Sequence, residues 1–213
     1  MKMNKEIIQQ KKIHNYDTFH LILAIVVLGV FIWSMIGPAS WLDWLAENIL
    51  VFLSVAAIII FAQQIRLNKF ACLCFAVYLI FHIYALHYAY LAPGGYWIGA
   101  LLGTTRNMFD RVVHFLFGFL LIVPFTQIFE NVFGQSRRMA ILSSIMLVGA
   151  TSAIYEILEW VGFLVLQADV AKLFVSTQGD IWDSQKDMLC AIVGSLIGGI
   201  LYARTWPWQK KQK

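Results

Sequence analysis

Charged residues are scarce in this sequence. Lysine, arginine, aspartate and glutamate make up 13% of the 213 residues, whereas 60% are hydrophobic. A water-soluble domain normally carries about a quarter charged residues, so this composition excludes an ordinary soluble surface. The net charge is +4, but the basic residues are dispersed between apolar segments, which argues against a nucleic-acid partner. The lipid bilayer is the partner that this composition predicts.

Cysteine is rare as well. Cys72, Cys74 and Cys190 all lie in apolar segments, and their spacing matches no disulfide framework, zinc site or haem motif. Phosphate-binding glycine loops and nucleotide, flavin or nicotinamide fingerprints are also missing. No linker divides the chain, so residues 1–213 are predicted to form a single transmembrane helical domain.

Six apolar segments are long enough to cross a hydrocarbon core of about 30 Å, which takes roughly 20 helical residues. The predicted fold is therefore all-α, a bundle of six transmembrane helices. The first segment is longer than the apolar region of a signal peptide, about 7–15 residues, and is predicted to be an uncleaved span. The predicted spans are 18–36, 46–64, 70–90, 109–130, 139–166 and 187–204.

The basic residues predict the orientation. With the N-terminus inside, twelve of the sixteen lysines and arginines lie on the inner side and four on the outer side. An excess of basic residues marks the cytoplasmic side, so both termini are predicted to be cytoplasmic. The outer basic residues are Arg106, Arg111, Lys172 and Lys186.

The acidic residues show the opposite bias, because nine of the twelve lie at or near the outer side. At 1.5 Å per helical residue, Glu156 lies about 25 Å up its span, and His114 lies roughly 7 Å below the outer end of the fourth. An ionisable group that faces lipid costs several kcal/mol, so these groups are expected to point into the bundle. The sequence predicts an outward-facing polar pocket inside the membrane.

Helical spacing indicates which groups converge there. Asp110 and His114 share a helix face, and so do Glu156 and Glu159. Two carboxylates one turn apart repel each other unless a cation, a shared proton or an arginine compensates. Arg111 or Arg106 is one candidate for that role, and a divalent metal is another. The candidate catalytic residues are Asp110, His114, Glu156 and Glu159; the candidate substrate-binding residues are Arg106, Asn107, Arg111, Asp180, Asp183 and Asp187.

Histidine and carboxylate ligands from several helices would suit a hard or borderline divalent ion. Such an ion acidifies a bound water for hydrolysis. No cofactor other than this divalent metal is indicated. His82 and His87 are about 140° apart around their helix and need not face the same partner. The candidate ligands are His82, His87, His114, Glu156 and Glu159.

The last span contains two rows of small residues, Gly194 with Gly198 and Ser195 with Gly199. Small residues four apart let helix backbones approach closely, so this span is predicted to pack tightly against a neighbour.

Four motifs occur in a characteristic order between about residues 75 and 200. They are HIYALHYAY (82–90), RNMFDRVVHFLFGFLLIVP (106–124), YEILEW (155–160) and TQGDIWDSQKDM (177–188). This pattern resembles the YjdF-like family of small bacterial inner-membrane proteins and, more loosely in overall shape, VanZ-like membrane proteins. The resemblance implies a multi-pass protein of the bacterial cytoplasmic membrane and implies no particular reaction.

Three functions of different classes are compatible with these features. The first is a metal-dependent membrane enzyme that acts on a lipid head group, another small polar ligand or an envelope precursor at the outer face. The second is a small proton- or cation-coupled transporter, although no inverted repeat relates the two halves of the chain. The third is a non-catalytic membrane scaffold whose polar cluster holds the bundle together.

Overall fold

The computed structural model describes residues 17–165, 178 and 180–204, and every regular element within these residues is an α-helix. The all-α prediction is confirmed for this part of the chain. Lys172, predicted in the outer loop, lies outside the described residues, as do both chain ends. The helices are α1 (Thr18–Ser34), α2 (Trp41–Ile60), α3 (Ala62–Ile65), α4 (Lys69–His87), α5 (Pro93–Leu101), α6 (Phe109–Asn131), α7 (Arg137–Val165) and α8 (Asp183–Arg204).

Five of these helices, namely α2, α4, α6, α7 and α8, are long and apolar enough to cross a membrane. The helix α1 is apolar but has only 17 residues. The helix α2 begins five residues before its predicted start, because Ser40 caps it by accepting a hydrogen bond from the backbone N–H of Asp43. The helix α8 begins at Asp183 rather than 187, which places Asp183 and Asp187 on one face, one turn apart.

The helix α6 lies at the centre of the fold and packs against α4, α7 and α8. Its contact with α8 is the closest. A Cβ atom on Gly118 would lie 1.9 Å from the backbone oxygen of Ala191, and one on Gly194 would lie 2.2 Å from that of Phe115. A Cβ atom on Gly198 would likewise lie 2.5 Å from the backbone oxygen of Phe119. The predicted tight packing of the last span is confirmed, and α6 is the neighbour.

The helix α1 lies beside α4 along its whole length. At one end Asp17, which caps α1, forms an ion pair with Lys69, the first residue of α4. At the other end Nδ1 of His87, the last residue of α4, donates to the backbone oxygen of Ser34 at 3.2 Å. The two helices therefore begin at the same level and end at the same level.

The distribution of polarity is that of a protein surrounded by lipid. Large apolar side chains cover the exterior, and Ile60 and Met146 are each 68% exposed. Acidic side chains lie inside, with Asp187 only 2% exposed and Glu156 only 5%. Because charged groups avoid hydrocarbon, this arrangement indicates that the long helices cross a bilayer.

Candidate functional site

Three helices deliver ionisable groups to one place near the start of α6. The side chain of His114, one turn after Asp110 on α6, points towards both α7 and α8. Its Nε2 atom lies 3.6 Å from Oδ1 of Asp110 and 3.4 Å from Oε1 of Glu156 on α7. Asp187, in the first turns of α8, completes the group. We call Asp110, His114, Glu156 and Asp187 the buried acidic site.

Three members of this site could hold a metal ion. Asp110, His114 and Asp187 each offer one ligand atom, and these three atoms lie within 4.8 Å of one another. One nitrogen and two carboxylate oxygens form a donor set that suits a divalent cation. The oxygen Oδ1 of Asp187 and the oxygen Oε1 of Glu156 are buried and accept no hydrogen bond. Buried carboxylate oxygens normally have such a partner, so this pair has spare capacity for a ligand.

An ion-pair network lies next to the buried acidic site, between the start of α6 and the start of α8. Arg111 contacts Asp180 at 2.8 Å and Asp183 at 2.9 Å, and its Nε atom lies 3.7 Å from Oδ1 of Asp187. Arg106 also pairs with Asp183, and Lys186 contacts Asp180 at 2.7 Å. The hydrogen bond from Lys186 and the one from Arg111 hold the pKa of Asp180 well below its usual range. The aspartates predicted to bind substrate are thus paired with the arginines predicted to bind substrate.

Arg111 was considered above as the partner of the two glutamates, but the structure gives Glu156 a different partner. The ion-pair neighbour of Glu156 is His114, while Arg111 pairs with aspartates of α8 and the preceding loop. Glu159 lies one turn after Glu156, near its carboxyl group, and is partly exposed. Glu159 therefore adds a fourth carboxylate at the edge of the buried acidic site.

Asn107 positions the loop that leads into α6. Its side chain donates to the backbone oxygen of Ala92 at 2.8 Å and accepts from the backbone N–H of Phe109 at 3.0 Å. Its backbone exchanges two further hydrogen bonds with the side chain of Gln178, at 2.8 and 3.0 Å. Gly95 allows this arrangement, because a Cβ there would lie 1.7 Å from the Asn107 side-chain oxygen. Asn107 thus uses its polar atoms within the protein.

The two predicted histidine ligands on α4 lie in different places. His87 packs against Trp33 with ring centroids 4.3 Å apart and binds Ser34, so it belongs to the contact with α1. His82 faces the interior and shares a hydrogen bond of 3.3 Å with the hydroxyl of Tyr90. Neither belongs to the group of three possible ligands, which contains His114 alone among the histidines of the described residues.

A chain of hydrogen bonds extends from His82 to α2. Tyr90 and Tyr155 share a hydrogen bond of 3.1 Å, and the Tyr155 hydroxyl donates to Oε1 of Glu47 at 2.8 Å. Glu47 is 6% exposed, and its second oxygen accepts no hydrogen bond. Sequence reasoning placed Glu47 at the boundary of its span and did not include it in the site. The sequence feature that could have identified Glu47 is a carboxylate next to a long apolar segment.

A cavity of about 340 Å³ lies beside the buried acidic site, between α2, α4, α6 and α7. His114 belongs to both, because it lines the cavity together with the polar residues His82, Tyr90, Ser152 and Tyr155. The rest of the lining is mainly aromatic and aliphatic. A polar end and an apolar body are typical of a site for an amphiphilic ligand.

Comparison with known proteins gives a family and no solved relative. Residues 19–206 match the family model described as "Predicted membrane protein (DUF2238)". The chain is 29% identical over 183 residues to the "Inner membrane protein YjdF" of Escherichia coli (strain K12), an alignment that covers 85% of this chain and 87% of the relative. No solved structure matches the chain. The chain therefore belongs to the DUF2238 family of predicted membrane proteins.

Proposed function

We propose that this protein is an enzyme of the bacterial inner membrane that binds a divalent metal at Asp110, His114 and Asp187 and hydrolyses a bond in the head group of a lipid. The inner-membrane location is supported by the similarity to a relative of that description. Metal-assisted hydrolysis is the reaction for which the residue types are suited, since a bound metal supplies a hydroxide-like water near neutral pH.

The observation that carries the proposal is an excess of negative charge in and around the buried acidic site. Among the described residues, three cationic side chains, Arg106, Arg111 and Lys186, lie in this region together with six carboxylates. His114 neutralises one more carboxylate only when it is protonated, and none when it is neutral, as a metal ligand must be. Charges inside a membrane protein are usually paired, and a divalent cation would balance the remaining acids. The six carboxylates are Asp110, Glu156, Glu159, Asp180, Asp183 and Asp187.

Glu156 has a separate role in this proposal. It lies next to His114 but outside the group of three ligand atoms, so it is available as a general base that takes a proton from the attacking water. The water oxygen would form the new bond to the head group and keep its second proton, the ester bond would break, and the proton held by Glu156 would pass to the leaving oxygen, which restores the carboxylate.

The proposed orientation is six spans with both termini in the cytoplasm. The twelve-to-four distribution of basic residues supports it. A further argument is that α1 begins beside Lys69 and ends beside His87, so it covers the same height as α4 despite its 17 residues. In this orientation the buried acidic site faces the outer leaflet.

The direct test is an activity assay on purified protein in phospholipid vesicles. The wild-type protein should release water-soluble head groups in the presence of a divalent metal such as Mg²⁺, Mn²⁺ or Zn²⁺, and a chelator should stop the release. His114→Gln should be inactive, while His87→Gln is the matched control because His87 lies in the contact with α1, outside both the ligand group and the cavity. Equal release by wild type and His114→Gln would remove the proposal.

A second candidate is proton-coupled transport, which the hydrogen-bond chain from His82 through Tyr90 and Tyr155 to Glu47 favours. Such chains of titratable and hydroxyl groups serve as proton relays. If the protein moves protons, Glu47→Gln should abolish a pH change inside vesicles and leave head-group release unaffected. If neither process is detected, a scaffold role takes first place.

A further inference from the structure

The cavity beside the buried acidic site has features that select one kind of occupant. Its walls come from membrane-spanning helices and include Phe75, Leu79, Phe117 and Leu121. An apolar cavity of about 150 Å³ can hold benzene, so 340 Å³ has room for roughly a dozen carbon atoms. A hydrocarbon chain of that length is the common apolar material of a bilayer.

The cavity opens towards the lipid rather than towards water. Ile154 and Leu158 of α7 line it and are 56% and 51% exposed, so the wall formed by α7 reaches the surface of the bundle. On the opposite side of the opening, α2 packs mainly against α4. The hydrogen bond between Tyr155 and Glu47 joins α2 and α7 at the outer end. A chain can therefore enter sideways, between α2 and α7 and below that hydrogen bond.

The polar end of the cavity provides a place for the ester group of a lipid. The hydroxyl of Ser152 lines the cavity, is buried and has no hydrogen-bond partner. It can donate to a carbonyl oxygen, which an acyl ester carries and a plain hydrocarbon lacks. His114 lies at the same end and belongs to the buried acidic site, so the head group of the same molecule would reach that site.

We propose that the cavity binds one acyl chain of a phospholipid of the outer leaflet, with the ester carbonyl at Ser152 and the head group at the buried acidic site. This inference names the substrate class of the proposed enzyme and rests on that function for its head-group end. The placement of the acyl chain rests on the cavity alone. A phospholipid chain in this position enters from the bilayer without crossing water.

Photo-crosslinking tests the inference. The protein is reconstituted in vesicles that contain phosphatidylglycerol with a diazirine on one acyl chain, and the labelled residues are identified by mass spectrometry. Labels are expected on residues that line the cavity, such as Leu121 and Phe125. Labels confined to outward-facing residues such as Met146 would mean ordinary surrounding lipid and would overturn the proposal.

Two variants that fill the cavity sharpen this test. Ser54→Trp fills it from the α2 side, and Leu158→Trp narrows its mouth at an exposed position that tolerates a large side chain. Each should reduce interior labelling about tenfold, which corresponds to about tenfold weaker binding of the acyl chain. Met146→Trp, an exposed position two turns from the cavity-lining Ile154, is the matched control and should label as wild type does. Equal interior labelling of all three variants would contradict the inference.

The same measurement on Asp187→Asn separates the inference from the proposed function. Asp187 does not line the cavity, so the cavity residues of this variant should still be labelled even if metal binding and activity are lost. Labelling without activity in the wild type would reject the enzyme and keep the lipid site. Activity without interior labelling would reject the acyl-chain site and keep the enzyme.

Discussion

Nε2 of His114 on α6 lies 3.4 Å from Oε1 of Glu156 on α7, inside the membrane-spanning part of the protein. The same nitrogen lies 3.6 Å from Asp110, so one imidazole stands between two carboxylates from different helices. Asp187 of α8 adds a third carboxylate. This relationship makes the site a meeting point of three helices rather than a feature of any one.

The first prediction separates the general base from the metal ligands. Glu156→Gln removes the proton acceptor but leaves Asp110, His114 and Asp187 unchanged, so it should lower head-group release roughly a hundredfold or more while metal content stays at the wild-type level. Element analysis of the purified variant, in parallel with the vesicle assay, measures both quantities. Loss of metal together with activity would show that Glu156 is a ligand.

The second prediction concerns the contact between α6 and α8. In Gly118→Ala the new methyl carbon would lie 1.9 Å from the backbone oxygen of Ala191, so the two helices must separate. The substitution should therefore destabilise the protein by about 3 kcal/mol. Gly149→Ala is the control, since its Cβ would lie 3.8 Å from the Ile192 side chain, an ordinary contact. Unfolding in mixed detergent micelles compares the two; equal stabilities would contradict the packing described.

The third prediction concerns pH. The pKa of Asp180 is lowered by Lys186 and Arg111, so its contribution to stability is complete above the ordinary aspartate pKa of about 3.9 and is lost as pH falls below it. The melting temperature of the wild type should therefore decrease as the pH is lowered below about 4. Asp180→Asn should melt lower than wild type at pH 7 and should show a smaller decrease on acidification. A variant with the full wild-type pH dependence would mean that another group is responsible.

The fourth prediction concerns orientation. A single cysteine at Gln178, in a chain whose three native cysteines are replaced by alanine, should react with a membrane-impermeant thiol reagent on intact spheroplasts. Gln178 is exposed in the loop before α8. A cysteine at Arg138, exposed at the start of α7, is the inner control and should react only with a permeant reagent. The reverse pattern would invert the topology and place the site on the cytoplasmic side.

The sequence contains enough information to predict which groups share a level, but less about which way they face. Counting 1.5 Å per residue placed Asp110, His114, Glu156 and Asp187 near one depth, and the structure brings these four together. Depth is set by position along a helix, so it can be read from sequence. The number of spans beyond five and the roles of the site residues remain predictions.

Rotation about the helix axis depends on tertiary packing, and here the sequence was insufficient. The spacing of His82 and His87 indicated that they need not face the same partner, but it did not indicate which partner each one faces. His82 faces the cavity and His87 faces α1. Glu47 was not among the predicted site residues, and its helix was predicted to begin at 46. The helix begins at Trp41, after the cap at Ser40, so Glu47 lies almost two turns inside it and accepts a hydrogen bond from Tyr155.

Metal binding by the purified protein is the most direct test of the central claim. Wild-type protein in detergent, dialysed against Mn²⁺ or Zn²⁺ and then against buffer alone, should retain about one ion per chain, the number that a single three-ligand site holds. Asp187→Asn should retain none, and Asp43→Asn, which removes a buried acid outside the ligand group, should bind as the wild type does. Wild-type protein that retains no ion, or an Asp187→Asn variant that retains the same amount, would contradict the account.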